Sequence, residues 1–246
     1  MLWTPQSKPA PGAQIDYSHP LARGLVGCWL FNEGSGVRAN DLAQVNNGVL
    51  TGGCTRDGQS LLFNGSSGYV DAGAGKSLAV TGDQTLVARI QNSIANWGRI
   101  INRMAIGSPY PGYQFILWTD GRLAYGCEGG WVQSTSSWND GRWHDVVVSQ
   151  KGGVASFYGD GRSDGVAAAG IPTDGGVNLY IGRWSSGYFT GRIQYSLIYN
   201  RALTPSEVAQ LAAEPYCMIA DPSPRRYFIF KSEEEAAGAW IGAGFW

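Results

Sequence analysis

The sequence predicts an all-β fold, an antiparallel sandwich of the jelly-roll type, from its turn dipeptides, its strand-length apolar runs and its lack of long helical patterns. Glycine makes up 36 of the 246 residues, about twice the usual ~7 %. Asp-Gly and Asn-Gly pairs, which favour tight turns, begin at Asp57, Asp120, Asp140, Asp160, Asp164, Asp174, Asn47 and Asn64. Runs of strand formers lie between them, at 60–63, 113–118, 144–149, 155–158, 178–181 and 192–199. Turns at this spacing indicate antiparallel strands, and an α/β fold would need helical patterns that are missing.

One short helix is predicted after the last of these strands. Thr204 supplies a capping hydroxyl, Pro205 occupies the first helical position, and Glu207 stands three residues after the cap. Together these residues satisfy the free amides of a first helical turn. The following positions form an apolar stripe of Val208, Leu211 and Ala212. Pro215 ends the helix, and we expect the helix to close one end of the sandwich.

Two terminal segments differ in composition from the central part. Residues 1–24 contain four prolines and little periodic apolar pattern, which is typical of an extended arm without a core of its own. Residues 215–246 add further prolines, an acidic run and an apolar tip. The predicted division is an N-terminal arm (1–24), a sandwich (25–214) and a C-terminal extension (215–246). The side chains expected to anchor the arms on neighbouring proteins are Trp3, Ile15, Tyr17, Tyr227, Phe228, Phe230, Trp240, Phe245 and Trp246.

Charge and length exclude several classes of function. The chain carries 18 basic and 19 acidic residues and a formal net charge of -1. Phosphate binding needs clustered Lys and Arg, so no nucleic-acid partner is expected. No apolar run approaches the ~20 residues that span a bilayer, and the N-terminus lacks the pattern of a secretory signal.

The cysteines point to no metal or redox motif. Cys28, Cys54, Cys127 and Cys217 form no C-x-x-C pair, which removes the common zinc and thioredoxin-like interpretations. We expect four free thiols, with a bridge between Cys28 and Cys217 as the alternative.

Four consecutive blocks of the sequence resemble the laminin-G-like, concanavalin A-like jelly rolls. Residues 25–36, L-V-G-C-W-L-F-N-E-G-S-G, are similar to that family's opening W-x-F-x-E-G-x-G strand. Residues 58–70 resemble its G-x-A-L-x-F-D-G hairpin, and residues 141–146 resemble its W-H-H-V strand. Residues 191–208 are similar to its closing element around Y-N-R-A-L-S-x-x-E-I. The resemblance implies the family's fold, which hosts lectin-like modules, adhesion domains, glycosidases and virion proteins.

The resemblance also implies roles for single positions. Trp29, Phe63, Phe115 and Trp143 correspond to core positions of the family, and His144 corresponds to a structural residue.

Calcium is the one cofactor that the resemblance suggests as a candidate. Relatives often hold Ca²⁺ with an acidic pair after G-x-I, and that pair is Gln194-Tyr195 here. Because the carboxylate charge is lost, we expect no cofactor. Asp41 and Asp71 remain as oxygen donors for a metal, with turn capping as their other role.

A second resemblance concerns the segments that flank the sandwich. Residues 15–25 and 214–219 resemble the corresponding parts of laminin-G-like proteins encoded among tailed-phage virion genes. Such proteins need no signal peptide because lysis releases them.

Hydrolytic chemistry is not expected. Glycoside hydrolysis needs two carboxylates converging on one face, and the glycosidases of this fold carry an E-x-D-x-x-E strand. Before the helix, the sandwich contains only Glu33 and Glu128, and no strand has acids at that spacing. His144 and Asp145 are adjacent on a predicted strand, so they point to opposite faces and cannot act as base and orienting acid.

Aromatic side chains are the remaining candidates for recognition, because sugar rings stack on the flat faces of Trp and Tyr. Gly- and Ser-rich segments contain the candidates for a glycan or partner face, which are Trp97, Trp131, Trp138, Trp184 and Tyr188. Edge packing is the alternative for each of them taken singly. A cluster of them would form a binding face.

Three hypotheses of function follow. The first is a non-enzymatic phage structural protein on the virion surface, a capsid decoration or tail-associated subunit, whose arms contact other virion proteins in a symmetric oligomer. The second is an extracellular carbohydrate-binding or adhesion module that recognises host-surface glycans. A glycoside hydrolase is the third and least favoured. Neither a nucleic acid nor a membrane is expected as a partner.

Overall fold

Twenty short strands and one α-helix make up the described part of the protein in the computed structural model, which covers residues 7–43, 46–94, 96–128 and 130–220. In chain order the strands are β1 (Gln14–Ile15), β2 (Leu25–Trp29), β3 (Arg38–Ala39), β4 (Gly48–Thr51), β5 (Thr55–Arg56), β6 (Leu61–Asn64), β7 (Tyr69–Asp71), β8 (Gln84–Gln91), β9 (Gly98–Met104), β10 (Gly112–Leu117), β11 (Arg122–Cys127), β12 (Gly130–Ser137), β13 (Trp143–Lys151), β14 (Val154–Gly159), β15 (Arg162–Ala168), β16 (Tyr180–Ile181), β17 (Arg183–Trp184), β18 (Gly187–Tyr188), β19 (Thr190–Tyr199) and β20 (Ile219–Ala220). The helix is α1 (Pro205–Ala213), and short 3-10 helices lie at Pro20–Ala22 and Lys76–Leu78.

Two eight-stranded sheets form the body of the fold. The first, sheet I, has the spatial order β12-β11-β10-β9-β16-β7-β4-β3. The second, sheet II, has the order β15-β14-β13-β8-β19-β6-β5, and β2 also pairs with β19. Neighbours such as β8 and β19 are antiparallel and far apart in the chain, so the chain crosses between the sheets as in a jelly roll. The predicted all-β antiparallel sandwich with one short helix is confirmed.

Turn dipeptides connect the strands in the way that the sequence predicts. Between β10 and β11, the Asp120 carboxylate accepts a hydrogen bond from the backbone N–H of Arg122 at 3.0 Å. Gly121 has a φ of 80°, which is strained for any residue with a Cβ. The predicted runs overlap β6, β10, β13, β14, β16 and β19, whereas β8, β9, β11, β12 and β15 were not predicted.

Alternation along the strands of sheet II divides their side chains between two apolar clusters. On β13, Val146 and Val148 point between the sheets into the main core, which also contains Trp29 and Phe63. Val147 points to the outer face of sheet II and belongs to a second cluster. Because successive side chains of a strand face opposite ways, the central strands of sheet II are buried on both faces.

The helix covers this outer face, which corrects the expectation that it closes an end of the sandwich. Val208 and Leu211 are buried in the second cluster together with Val87 and Leu197 of sheet II. An amphipathic helix buries its stripe against the nearest apolar surface. The outer face of sheet II supplies that surface.

The helix start is confirmed. Thr204 accepts a hydrogen bond from the Glu207 N–H at 3.3 Å, and the Glu207 carboxylate accepts one from the Thr204 N–H at 2.8 Å, which completes a capping box. Arg201 binds the same carboxylate at 2.7 Å. The hydrogen bond from Arg201 is the largest influence and lowers the pKa of Glu207 to about 2.

The N-terminal segment packs on the domain, so its interpretation as an arm without a core is wrong for the described residues. Ile15 of β1 pairs with Ile219 of β20, and Ile15 is 8 % exposed. It is therefore not available to anchor a neighbour, whereas Tyr17 is exposed. Lys8 also holds the segment against the domain. Its Nζ donates hydrogen bonds to the backbone carbonyls of Phe31, Gln59 and Gln194.

Other expectations concern the cysteines and the chain ends. All four cysteines are free thiols, so Cys28 and Cys217 form no bridge. No helix in the described part of the chain is long and apolar enough to cross a membrane. The remaining anchoring candidates lie outside the described residues, namely Trp3, Tyr227, Phe228, Phe230, Trp240, Phe245 and Trp246.

Replacing Ile15 by Ala should lower the free energy of unfolding by about 2 kcal/mol or more, because the change removes buried methyl groups and leaves a cavity. Ile106 is a matched control because it is 73 % exposed, and Ile106→Ala should change that free energy by about 0.5 kcal/mol at most. Urea unfolding followed by tryptophan fluorescence measures both. Equal effects would contradict the packing of the N-terminal segment.

Candidate functional site: an aromatic face on sheet I

Three indoles lie next to one another on the outer face of sheet I. The ring centroids of Trp97 and Trp118 are 4.1 Å apart, and those of Trp118 and Trp131 are 5.6 Å apart. Trp97 is 41 % exposed and Trp131 is 38 % exposed. The three rings form a continuous, partly exposed surface, which we call the indole shelf.

Strand alternation and one glycine place the shelf on this face. Phe115 and Leu117 of β10 point into the main core, so the next residue, Trp118, points outward. Trp131 of β12 pairs with Gly126 of β11. A Cβ at Gly126 would lie 2.7 Å from the Trp131 ring. The missing side chain therefore lets the indole pack directly on the backbone of β11.

A short hairpin, formed by β17 and β18, lies against β9 beside the shelf. The Trp184 indole donates a hydrogen bond from Nε1 to the carbonyl of Met104 at 2.9 Å, which holds the hairpin on the sheet. The guanidinium carbon of Arg183 lies 4.6 Å from the Tyr69 ring centroid. The hairpin thereby adjoins a second aromatic group, made of Tyr69, Tyr180 and Tyr188.

Arg99 of β9 lies between the shelf and the hairpin. Its guanidinium carbon is 4.9 Å from the Trp97 ring centroid and 5.3 Å from the Trp184 ring centroid. Both distances are in the range of cation–π attraction. Burial lowers the pKa of Arg99 to about 10, so the side chain keeps its charge at neutral pH.

The structure brings most of the aromatic candidates together. Trp97 and Trp131 belong to the shelf, and Trp184 and Tyr188 belong to the adjoining hairpin. Trp138 lies elsewhere: it packs against the main core, and its Nε1 donates a hydrogen bond to Asp164 at 2.7 Å.

Two members of this face were missed in the sequence. Trp118 has the opposite strand parity to Phe115, which the family resemblance assigns to the core, so alternation alone could have found it. Arg99 gave no signal, because a buried cation within a strand runs against the usual composition of strands.

A charged cluster surrounds His144 at the start of β13. Asp160 Oδ2 lies 2.9 Å from its Nδ1, and Asp140 Oδ1 lies 2.9 Å from its Nε2. Burial by itself lowers the pKa of His144, but the hydrogen bonds to Asp160 and Asp140 outweigh it, and the pKa is raised. Both ring nitrogens are occupied, so the side chain serves as an ion-paired clamp and has no nitrogen left for a substrate proton.

Asp145 faces the other side of β13, as the sequence predicts. Its carboxylate accepts hydrogen bonds from Arg89 and Tyr195 on the outer face of sheet II. Burial raises the pKa of Asp145, and the charge of Arg89 opposes that rise in part. Trp143, expected in the core, is half-buried on this same outer face, because His144 and Val146 take the inward positions of the strand.

The candidate metal donors cap turns. Asp41 accepts a hydrogen bond from the backbone N–H of Ala43 at 3.0 Å, and Asp71 accepts one from the backbone N–H of Gly73 at 2.9 Å. Within residues 7–43, 46–94, 96–128 and 130–220, no group of three or more His, Cys, Asp or Glu side chains is arranged to hold a metal ion.

A two-sheet antiparallel sandwich with an aromatic outer face is a fold of the lectin-like class. The chain belongs to the concanavalin A-like lectin/glucanases superfamily, because a laminin G model of that superfamily matches residues 64–209. No curated protein matches the sequence.

Solved structures with the same fold include several carbohydrate-active and binding proteins. Domain 4 of AbnA, a GH43 extracellular arabinanase from Geobacillus stearothermophilus in complex with arabinotriose, is 18 % identical, with a TM-score of 0.60 over 81 % of this chain and 98 % of that one. Trypanosoma rangeli sialidase in complex with sialic acid is 18 % identical, with a TM-score of 0.61 over 79 % of this chain. This chain spans only 33 % of the sialidase chain. The binding domain of botulinum neurotoxin serotype D/C is 13 % identical, with a TM-score of 0.60 over 78 % of this chain and 52 % of that one.

The His144 clamp should make stability depend on pH. A raised folded-state pKa stabilises the protein fully below the unfolded value of about 6.5, and the contribution is lost as pH rises through the folded value. The difference in thermal midpoint between the protein and His144→Gln should therefore shrink from about pH 5.5 to about pH 8.5.

Proton NMR measures the pKa of His144 directly. The chain contains 2 histidines, so His19→Gln leaves one imidazole signal, which should titrate above about 6.5. Asp160→Asn should lower that pKa. A pKa below the usual value in the His19→Gln protein would contradict the clamp.

Proposed function

We propose that the protein is a non-enzymatic carbohydrate-binding module whose binding surface is the indole shelf. The contiguity of Trp97, Trp118 and Trp131, with the first and last rings about 40 % exposed, carries this proposal. Sugar rings stack their CH faces on indoles, whose N–H groups remain free for hydroxyl partners. Adjacent rings can accept successive sugar units of a chain. The superfamily and the arabinanase domain solved with arabinotriose support the proposal at the level of the fold.

The burial of the opposite face supports the same surface. The outer face of sheet II is covered by α1 and by segments near both ends of the described chain. Among the described residues, the hairpin of β17 and β18 covers part of the outer face of sheet I at β9. Beside the hairpin, this face presents partly exposed aromatic rings. An exposed apolar group of this kind is typical of a surface that binds a partner or ligand.

The environments of four acidic side chains support a role without catalysis for those residues. Glu33 forms an ion pair with Arg56 at 2.7 Å. Asp145 is bound by Arg89 and Tyr195, and the two carboxylates next to His144 are bound by its ring. A glycosidase needs one free carboxylate and one protonated acid on either side of the sugar. These acids are instead committed to internal contacts.

Trp131→Ala should weaken glycan binding at least tenfold, since it removes about 1.4 kcal/mol or more of stacking from a ring that the ligand covers. Trp143→Ala is the matched control, because Trp143 lies half-buried on the outer face of the other sheet, and it should leave the affinity unchanged. A glycan array finds the ligand, and calorimetry on that ligand compares the variants. An array without any bound glycan, or equal affinities of the two variants, would contradict the proposal.

Display of this module on a virion is the second candidate. One observation favours it: β1 and β20 pair with each other, so the chain enters and leaves the described domain on the face of sheet II, opposite the shelf. An anchor attached there would leave the shelf facing outward. In this candidate the neighbours are other virion proteins and further copies of the chain, and the displayed surface binds host glycans.

Particle incorporation tests the second candidate. Removing residues 221–246 leaves every described residue in place, so the truncated chain should fold and keep its glycan affinity while its incorporation into phage particles falls. Quantitative mass spectrometry of purified particles measures incorporation against the full-length chain. Unchanged incorporation, or no copy of the full chain in particles, would exclude anchoring through this segment.

A further inference from the structure

Unpartnered polar atoms lie on the same face as the indole shelf. Arg99 is only 6 % exposed, and its Nε and Nη1 are sealed from solvent without a hydrogen-bond partner among the described residues. Asn102 of β9 and Gln114 of β10 pair beside it, and each also has one sealed atom without a partner, Asn102 Nδ2 and Gln114 Oε1. Buried polar groups in proteins are nearly always satisfied. Arg99 and Asn102 lie on β9 opposite Ile116 and Gln114 of β10, so three of the unpartnered groups share one part of sheet I.

The other buried arginine of β9 has hydrogen-bond acceptors and a carboxylate around its guanidinium. Arg103 donates to the carbonyls of Leu78 and Val177 at 3.2 Å and 3.1 Å, and it forms an ion pair with Asp174 at 3.1 Å. No carboxylate or carbonyl of the described residues accepts a hydrogen bond from Nε or Nη1 of Arg99, whose guanidinium contacts two indoles instead. A buried charge without an anion is strongly unfavourable. An incoming anion would relieve that cost.

We infer that Arg99 is the recognition residue for the carboxylate of an acidic sugar bound on the indole shelf. The inference rests on the proposed function and adds the chemical class of the ligand. A sugar stacked on Trp97 lies beside the guanidinium, because the guanidinium carbon is 4.9 Å from that ring centroid. A planar guanidinium pairs with a carboxylate through charge-assisted hydrogen bonds, which neutral hydroxyls do not match.

Nη2 is the nitrogen left for the ligand, because Nε and Nη1 are sealed from solvent and no described residue accepts a hydrogen bond from Nη2. The backbone of the hairpin covers the neighbouring edge: a Cβ at Gly187 would lie 3.1 Å from Nε and 3.3 Å from Nη2. A side chain at residue 187 would therefore occupy the space beside the guanidinium. The glycine therefore lets the hairpin backbone approach the guanidinium closely.

Paired probes that differ only in charge test this inference. The probes are hexuronate and nonulosonate oligosaccharides, each beside its own methyl ester, with neutral glycans on the same array. The protein should bind an acidic probe at least tenfold more tightly than its ester. Arg99→Gln should abolish that preference, whereas Arg192→Gln, which removes an exposed arginine of sheet II, should keep it.

The outcomes separate this inference from the proposed function. Binding of neutral glycans or esters as tightly as the acids, with Arg99→Gln unchanged, would overturn the role of Arg99 and leave the shelf intact. The absence of binding to any glycan would overturn both.

Thermal stability gives a second readout that does not need the ligand. Arg99→Met removes an unpartnered charge, so its melting temperature should equal or exceed that of the parent protein. Arg103→Met removes a guanidinium whose three nitrogens are all hydrogen-bonded, so it should lower the melting temperature. A lower melting temperature for Arg99→Met would show that Arg99 serves the packing of the sheet, and it would overturn the inference.

Discussion

Burial of both faces of sheet II is the constraint on which the rest of the structure depends. Its central strands send alternate side chains, such as Val146 and Val147, into two separate apolar clusters. A sheet of this kind is stable only if something covers its outer face. The helix after β19 and the segments around Ile15 and Ile219 provide the cover. The two ends of the described part of the chain therefore lie on sheet II, and the proposed binding surface lies on the outer face of sheet I.

A few local structural features produce the aromatic face of sheet I. Gly126 lets the Trp131 indole pack on β11, and the hydrogen bond from Trp184 to Met104 holds the hairpin against β9. Arg99 then lies between two indoles, and none of the described residues accepts a hydrogen bond from its sealed N–H groups. Such an arrangement costs stability, and natural proteins accept that cost mainly at functional sites. In the proposed role, the same residue links the stability of the sheet to the binding of an acidic sugar.

The sequence predicts features that residues close together in the chain form, but it does not predict which distant segments pair. The turn at Asp120 and the helix start at Thr204 were predicted because their hydrogen-bond partners lie within a few residues. Strand β8 was missed because a strand buried on both faces shows no alternation, and β9 was missed because it buries Arg99. The packing of Ile15 depends on Ile219, more than two hundred residues away, which no local pattern reveals. Likewise, single indoles were predicted as candidates, but their grouping depends on the strand order β12-β11-β10-β9.

Indole N–H signals in a ¹⁵N NMR titration with the array-selected glycan test the central claim most directly, because each of the 10 tryptophans gives its own signal. At saturation, the signals of Trp97, Trp118 and Trp131 should shift most, while those of Trp138 and Trp143 stay in place. Shifts that are largest at Trp143, or a saturated complex in which the shelf signals do not move, would contradict the assignment of the binding surface to sheet I.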